Sequence, residues 1–287
     1  GLRHVPRDDD EYASERNLFN VHVPACYISE TGMIGLATWH QGRCGSSVLG
    51  SLLNQHSQIQ AQNEIFSRYM PRRWGEQPVP PMRKVLDDAV QRAKKPIVNI
   101  EVKCLSAQNF ALYPTANFQD WLEAAASHGF ERHLLIARRN GLRRLLSHLM
   151  AQRSGVYVKQ QYDESLPLAE RQITIDVNAI QEGLETHSLL DWLELYEQTH
   201  WQLRDDLKQW CMERQQPPPL ELIYEEVIEP SPQLAYSKVC NALGLATEPV
   251  HVRFRRINPE PLVQLIRNWQ EIETLLTPTR FSWMLDS

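Results

Sequence analysis

No apolar stretch in this 287-residue chain reaches the roughly 18 residues that a membrane-spanning helix needs. The first 30 residues, dense in charge up to Arg16, are not expected to form a signal-peptide core. There is no C-x-x-C, no Cys/His metal spacing and no N-x-[ST] sequon, and the five cysteines (26, 44, 104, 211 and 240) are odd in number. These absences point to a reducing, cytoplasmic home and to chemistry without a metal. The chain starts at Gly1, which leaves a preceding segment open. An excess of positive charge is also missing: the formal charge is −5, which argues against a general nucleic-acid binder. Local clusters remain at Arg138-Arg139, Arg143-Arg144 and Arg253-Phe254-Arg255-Arg256, and they suit small anions. No internal repeat is visible, and "QQPPP" (215–219) is too short for a domain linker. One domain over 34–287 is expected, after an N-terminal extension at 1–33.

What the sequence does contain is an alternation. Strand candidates stand at "IGLATW" (34–39), "IQAQNEIF" (59–66), "PIVNIEVKC" (96–104), "RHLLIARR" (132–139) and "LELIYEEV" (220–227). Helical patterns fall at about 46–54, 81–94, 117–128, 142–153, 188–213 and 231–242. Strands alternating with helices predict an α/β fold of three layers, P-loop-like, with a central parallel sheet and helices on both faces. The weakly periodic stretch within 155–187 reads as an insertion on the substrate side.

The densest motif is "WHQGRCGSSVLGSLLNQH" (39–56), a strand that runs through a tight loop into a helix. Gly42 and Gly45 allow positive φ and close backbone approach, and Ser46 or Ser47 can cap a helix whose free N–H groups attract an anion. The nucleoside-triphosphate loop G-x-x-x-x-G-K-[ST] does not fit, because His40 and Ser46 stand where it needs glycine and lysine. A second anchor follows at "LIARRNGLRRLLSHLMAQ" (135–152), where Leu142, Leu145, Leu146, Leu149 and Met150 form an apolar stripe. Arg143 and Arg144 are expected on the solvated side of that helix. Arg139 at the strand end and Ser147 can converge on one anion, at the same carboxyl edge of the sheet as the first loop.

The loop "GRCGSS" followed by a helix and "NEIF", then "RRN" with a serine eight residues after the second arginine, resembles the PAPS-dependent sulfotransferases. The tail segments "YEEV" (224–227), "ALGL" (242–245) and "RRINPEPLVQLIRNWQEIETLLTPTRFSWML" (255–285) look like the end of the bacterial carbohydrate and nodulation-type branch. The resemblance spans roughly residues 34 to 285. It implies that Arg43, Gly45, Ser46 and Ser47 cradle the 5′-phosphosulfate of 3′-phosphoadenosine-5′-phosphosulfate (PAPS). Cys44, which replaces a family serine, is a further position of that cradle. Arg139 and Ser147 are implied to bind the 3′-phosphate. The strand that carries a catalytic histidine in the eukaryotic cytosolic branch offers Lys103 here and no histidine, whereas Glu64 of "QNEIF" matches the glutamate that other branches place just after the first helix.

Sulfuryl transfer calls for in-line positioning, for cations or N–H dipoles that absorb charge on the leaving phosphate, and for a base on the attacking hydroxyl. Arg43, the loop amides and Lys103 suit the first tasks and Glu64 the last. A raised Glu64 pKa is expected from desolvation and from the anionic donor. His40 is an alternative base on the loop, and Cys44 is expected to be a small filler. The acceptor is a hydroxyl-bearing sugar, glycolipid or related small molecule, met by 67–80, 105–118 and 155–187 with Tyr69, Trp74, Phe110, Tyr113, Tyr157 and Tyr162. A homo-oligomer is compatible with this reading. A nucleotide or small-molecule kinase on a related phosphate-loop fold and a catalytically silent module that binds phosphoadenosine or a glycan are the competing readings.

Overall fold

The computed structural model describes residues 32–74, 77–105, 108–157 and 167–286. In chain order the elements are β1 (Ile34–His40), α1 (Ser46–Leu53), β2 (Ile59–Glu64), α2 (Met82–Gln91), β3 (Ile97–Lys103), α3 (Phe118–Ala126), β4 (Arg132–Ala137) and α4 (Gly141–Ser154). Then come α5 (Leu168–Arg171), β5 (Ile180–Glu182), β6 (Glu185–His187), α6 (Leu189–Glu213), β7 (Leu220–Ile223), α7 (Pro232–Ala242), α8 (Leu262–Leu265) and α9 (Trp269–Leu276). Five strands form one sheet in the order β2-β3-β1-β4-β7, every pair parallel. The expected α/β class is what the structure has.

Period-two alternation sends the two sets of strand side chains into two different layers. Ala37, Trp39, Val98, Ile100, Val102 and Leu135 meet α2, α3 and the second half of α6, with Trp121, Phe130, Leu207 and Trp210 among the buried partners. Leu36, Ile59, Ile97, Leu134 and Ile136 meet α1 and α7 on the other face, against Leu49, Leu52, Leu53, Tyr236 and Val239. A third apolar cluster joins α4, the first half of α6, α8 and α9 beside the sheet. The expected insertion contributes α5 and the β5–β6 hairpin to that flank, and its residues 158–166 lie outside the described residues. So do residues 1–31 of the expected N-terminal extension. Among the described residues no helix is long and apolar enough to cross a membrane.

The topology decides where a ligand sits. From β1 the chain builds β2 and β3 on one side and then β4 and β7 on the other. The carboxyl end of β1 is therefore the point where strand order reverses, and a crevice opens there. β4 and β7 both end earlier than the sequence suggests. β4 stops at Ala137, so that Arg138 and Arg139 leave the sheet toward Glu225 and Glu226. β7 stops at Ile223, and Tyr224–Ile228 winds into a π-helical turn, a geometry often found at functional sites. That turn places Tyr224 over the Arg138 guanidinium, 4.4 Å from the ring centroid.

Candidate active site

The loop after β1 carries three left-handed residues, Gly42 (φ 79°), Arg43 (φ 57°) and Gly45 (φ 85°). A turn of this kind aims backbone N–H groups into one concavity, as in phosphate-binding nests. Gly45 is the N-cap of α1, and no side chain caps that helix. Ser46 and Ser47 are thus its first helical residues rather than its caps, and the uncapped dipole end faces the crevice. Only glycine fits at 45, because a Cβ there would lie 2.7 Å from Ile228 Cγ2. Cys44 turns into the core between α1 and the sheet, and burial pushes its thiol up to about 12. It is a loop filler, not an anion ligand through its sulfur.

The loop is pinned from α4 and α6. Arg144 donates to the Gln41 carbonyl at 2.9 Å, lies 3.5 Å from Glu182 and sits over the rings of Trp192 and Tyr196. The Tyr196 hydroxyl donates to the Arg138 carbonyl at 2.6 Å, and the Gln41 amide donates to the Tyr196 carbonyl at 3.3 Å. Arg144 is only 2% exposed and Arg143 only 5%. The solvated arginine face expected for α4 is therefore incorrect for both: each finds main-chain acceptors that the local sequence does not show, Arg143 at the Glu260 carbonyl (2.7 Å).

A cleft of about 300 Å³ lies over this loop. Its lining includes Arg43, Gly45, Ser46, Ser47, Glu64, Lys103, Ser147 and Tyr157, together with Arg138, Arg143, Tyr224, Arg255, Arg256 and Asn258. Five arginines and Lys103 thus face two glutamates, Glu64 and Glu229, within a chain whose formal charge is −5. Burial and the neighbouring Arg256 and Arg138 push Arg143 down to about 10, and burial and Arg138 lower Arg43 as well. Arg255 Nη2 and Arg138 Nε are buried with no hydrogen-bond partner among the described residues. Crowded, partly unpartnered cations of this kind are relieved by an anion.

The structure joins Ser147 to Arg43 (Nε to Oγ, 3.1 Å) and not to Arg139. Arg139 points away, ion-paired with Glu226 at 2.5 Å and 43% exposed, and it does not line the cleft. Of the Arg138-Arg139 pair it is Arg138 that faces the cleft. Arg255 and Arg256 enter from the segment after α7; sequence reading marked their charge but not their place. Arg43 also donates to the Tyr157 carbonyl at 2.9 Å.

Glu64 stands at the end of edge strand β2, the strand that follows the helix leaving the loop. The pairing with β3 slips between Ala61 and Glu64: three steps on β2 match two on β3, with Asn63 left-handed at φ 54°. This bulge turns the strand by one residue, which reverses the face a side chain takes. Glu64 therefore pairs with Glu101 and meets Lys103, Oε1 to Nζ 2.8 Å. Burial raises the Glu64 pKa, but the Lys103 ion pair and the Ser67 hydroxyl outweigh it and hold the carboxyl below its usual value. The expectation of a raised value is thus reversed, because Lys103 was not foreseen as its partner.

Beneath the loop, Glu101 is 2% exposed and His40 1%. Burial, with Glu64 nearby, pushes Glu101 up to about 7, and burial pushes His40 down to about 4. His40 is thus a buried, neutral residue and no surface base. Glu101 was missed; the available signal was a carboxylate flanked by Ile100 and Val102 inside the mostly apolar strand "IVNIEVKC". Of the aromatics expected to meet an acceptor, Tyr69, Phe110 and Tyr113 pack into the core with Phe66 and Trp121. Tyr157 is exposed at the cleft, Tyr162 lies outside the described residues, and nothing is described of the Trp74 side chain.

No family model matches this chain, and no curated protein matches it. Among solved structures it is similar to the crystal structure of a sulfotransferase from Alicyclobacillus acidocaldarius, at 15% sequence identity and a TM-score of 0.42, over 88% of this chain and 94% of that one. A likeness of this degree assigns no activity, and the chemistry has to rest on the cleft itself.

Proposed function

We propose that the protein is a sulfotransferase that moves a sulfuryl group from PAPS to a hydroxyl of a carbohydrate, glycolipid or related small molecule. The observation that carries this reading is the Glu64–Lys103 pair at the rim of an arginine-lined cleft built on a left-handed loop and an uncapped helix start. A carboxylate base beside a cation, above a set of anion donors, is what in-line transfer of a charged group to a neutral hydroxyl requires.

In this reading the 5′ end of the donor lies on the amides of 45–47 and on Arg43, and Lys103 meets the bridging oxygen as charge develops on the leaving phosphate. The 3′-phosphate falls to Arg138, Arg143 and the Arg255-Arg256 pair, with Ser147 holding Arg43 in place. Arg138 takes the role that the motif spacing gave to Arg139. An anionic donor competes with Glu64 for Lys103, and as that ion pair weakens desolvation gains weight and raises the affinity of the carboxylate for the proton of the acceptor hydroxyl. That proton moves to Glu64 while the sulfur–oxygen bond to the acceptor forms and the bond to the leaving phosphate breaks.

The test is transfer of label from PAPS to a panel of sugars and glycolipids with EDTA present. Turnover that survives chelation supports the reading. Phosphoryl transfer from ATP that stops with EDTA and returns with Mg²⁺ would replace it by a kinase. Binding of adenosine 3′,5′-bisphosphate without transfer to any acceptor would replace it by a silent binding module.

A further inference from the structure

Two buried polar residues lie under the cradle and outside the cleft lining, His40 at the last position of β1 and Glu101 two residues before the end of β3. The Gly42 amide donates to His40 Nδ1 at 3.0 Å. A backbone N–H can only donate, so Nδ1 is the acceptor nitrogen of the neutral ring and Nε2 carries the proton. That Nε2–H faces Glu101 Oε2 at 3.6 Å and has no hydrogen-bond partner among the described residues. The Ser46 hydroxyl meets the same carboxyl group and opposes the upward push of burial on it.

His40, Glu64 and Glu101 bring three ligand-type atoms within 4.8 Å of one another, the density of a metal site. The tautomer argues against one. A histidine that binds metal through one nitrogen donates from the other, whereas here Nδ1 receives a proton donor and Nε2 keeps its own hydrogen. The arrangement is a convergence of polar groups instead, with the His40 Nε2–H facing Glu101 across 3.6 Å without a hydrogen bond. It runs from both limbs of the loop, Gly42 before the arginine and Ser46 after it, toward one carboxyl group on the neighbouring strand.

We propose that Glu101 is a positioning residue for the cradle: it meets the Ser46 hydroxyl and faces His40, which receives the Gly42 amide, so that both limbs of the loop are set from β3. This convergence gives a reason for a carboxyl group to be kept where burial disfavours it. Thr38 and Asn99, one step deeper on the same two strands, hydrogen-bond each other at 2.7 Å and continue the polar seam into the sheet. Gly50 on α1 leaves room for the carboxyl, since a Cβ there would lie 2.7 Å from Glu101 Oε1. The positioning role itself requires no particular donor; its effect on ligand affinity rests on the function proposed above.

The test is amide hydrogen exchange of the whole ligand-free protein, with ligand affinity measured in parallel. Glu101→Ala should speed exchange across residues 42–48 by about tenfold or more while amides of α6 stay unchanged. Glu101→Gln keeps an acceptor for Ser46 and should return the loop to within about threefold of wild type. His40→Leu should speed exchange at Gly42, and His40→Asn, whose Oδ1 can stand where Nδ1 stood, should restore it; this second pair decides the matter if Glu101→Ala does not fold. Affinity for adenosine 3′,5′-bisphosphate should fall about tenfold in Glu101→Ala and recover in Glu101→Gln. Exchange unchanged in the loop, or raised equally throughout the molecule, overturns the proposal. A loop response in a protein that binds no bisphosphate supports the role of Glu101 and counts against the sulfotransferase reading alone.

Discussion

The two faces of the sheet are made from the same strands and end differently. On the face toward α2, α3 and α6 the row Ala37, Trp39 and then Val98, Ile100, Val102 stays apolar to the strand ends, closed by the rings of Phe66, Phe110, Phe118 and Trp121. On the face toward α1 and α7 the row starts with Leu36 and Ile97, then turns polar at Thr38 and Asn99, and reaches His40, Glu101, Lys103 and Glu64 at the carboxyl edge. Dispersion and burial of apolar area hold the first face. The second gives up part of that gain to place charges where the strand order reverses. Stability and chemistry are thus assigned to opposite sides of one β3 strand, and substitutions can separate them.

The sharpest separation is Glu64→Gln. It keeps the shape and removes the proposed base, so kcat should fall by about 10²–10⁴ with adenosine 3′,5′-bisphosphate affinity nearly intact. Unchanged kcat would remove Glu64 from the chemistry, and lost donor affinity would make it a support of the cradle. Trp121→Ala on the opposite face should show the converse. It removes a ring that is 2% exposed and costs about 3–5 kcal/mol by denaturant melts, while the folded fraction binds as before. If the two variants failed in the same way, the division between the faces would be false.

A smaller effect is expected at Asn63, whose left-handed backbone makes the bulge that turns Glu64 inward. Asn63→Val should cost about 1–2 kcal/mol and lower kcat with it, whereas Asn63→Gly should be close to neutral, as read by Tm and turnover. The faces should also part with pH. Glu101 has a folded value of about 7, above its usual 4.5, so its contribution to stability is present below about pH 4.5 and lost as pH rises through 7. Glu64 lies below its usual value, and its contribution is present above 4.5 and lost as pH falls through the lower folded value. The Tm of Glu101→Gln relative to wild type should therefore be higher at pH 8 than at pH 5. An equal difference at both would show that Glu101 is not the titrating group.

Much of the fold was legible because apolar periodicity is local: the strand, loop and helix of 34–53 and the helix of 141–154 fall within one or two residues of expectation. The site was legible only in its local parts. The turn at 42–45 announces itself by two glycines, and Glu64 by its motif, but the face that Glu64 takes is set by a register slip against β3. Whether Arg138 or Arg139 enters the cleft is decided by Glu225 and Glu226, some 86 residues away. The burial of Arg143 depends on Glu260 and that of Arg144 on Gln41 and Glu182, again partners distant in sequence. Trp283 is 44% exposed, and the short turn Ser282–Asp286 buries Met284 instead.

The central claim is that the arginine-lined cleft takes a donor with phosphate at both ends of its ribose. Calorimetric titration of the full chain with adenosine 3′,5′-bisphosphate and with AMP, repeated on Arg138→Ala and Arg139→Ala, tests it most directly. The bisphosphate should bind at least about tenfold more tightly than AMP, Arg138→Ala should weaken it by about ten- to hundredfold with AMP little changed, and Arg139→Ala should do less. Equal affinity for the two nucleotides, or the same loss for both in Arg138→Ala, would contradict the account.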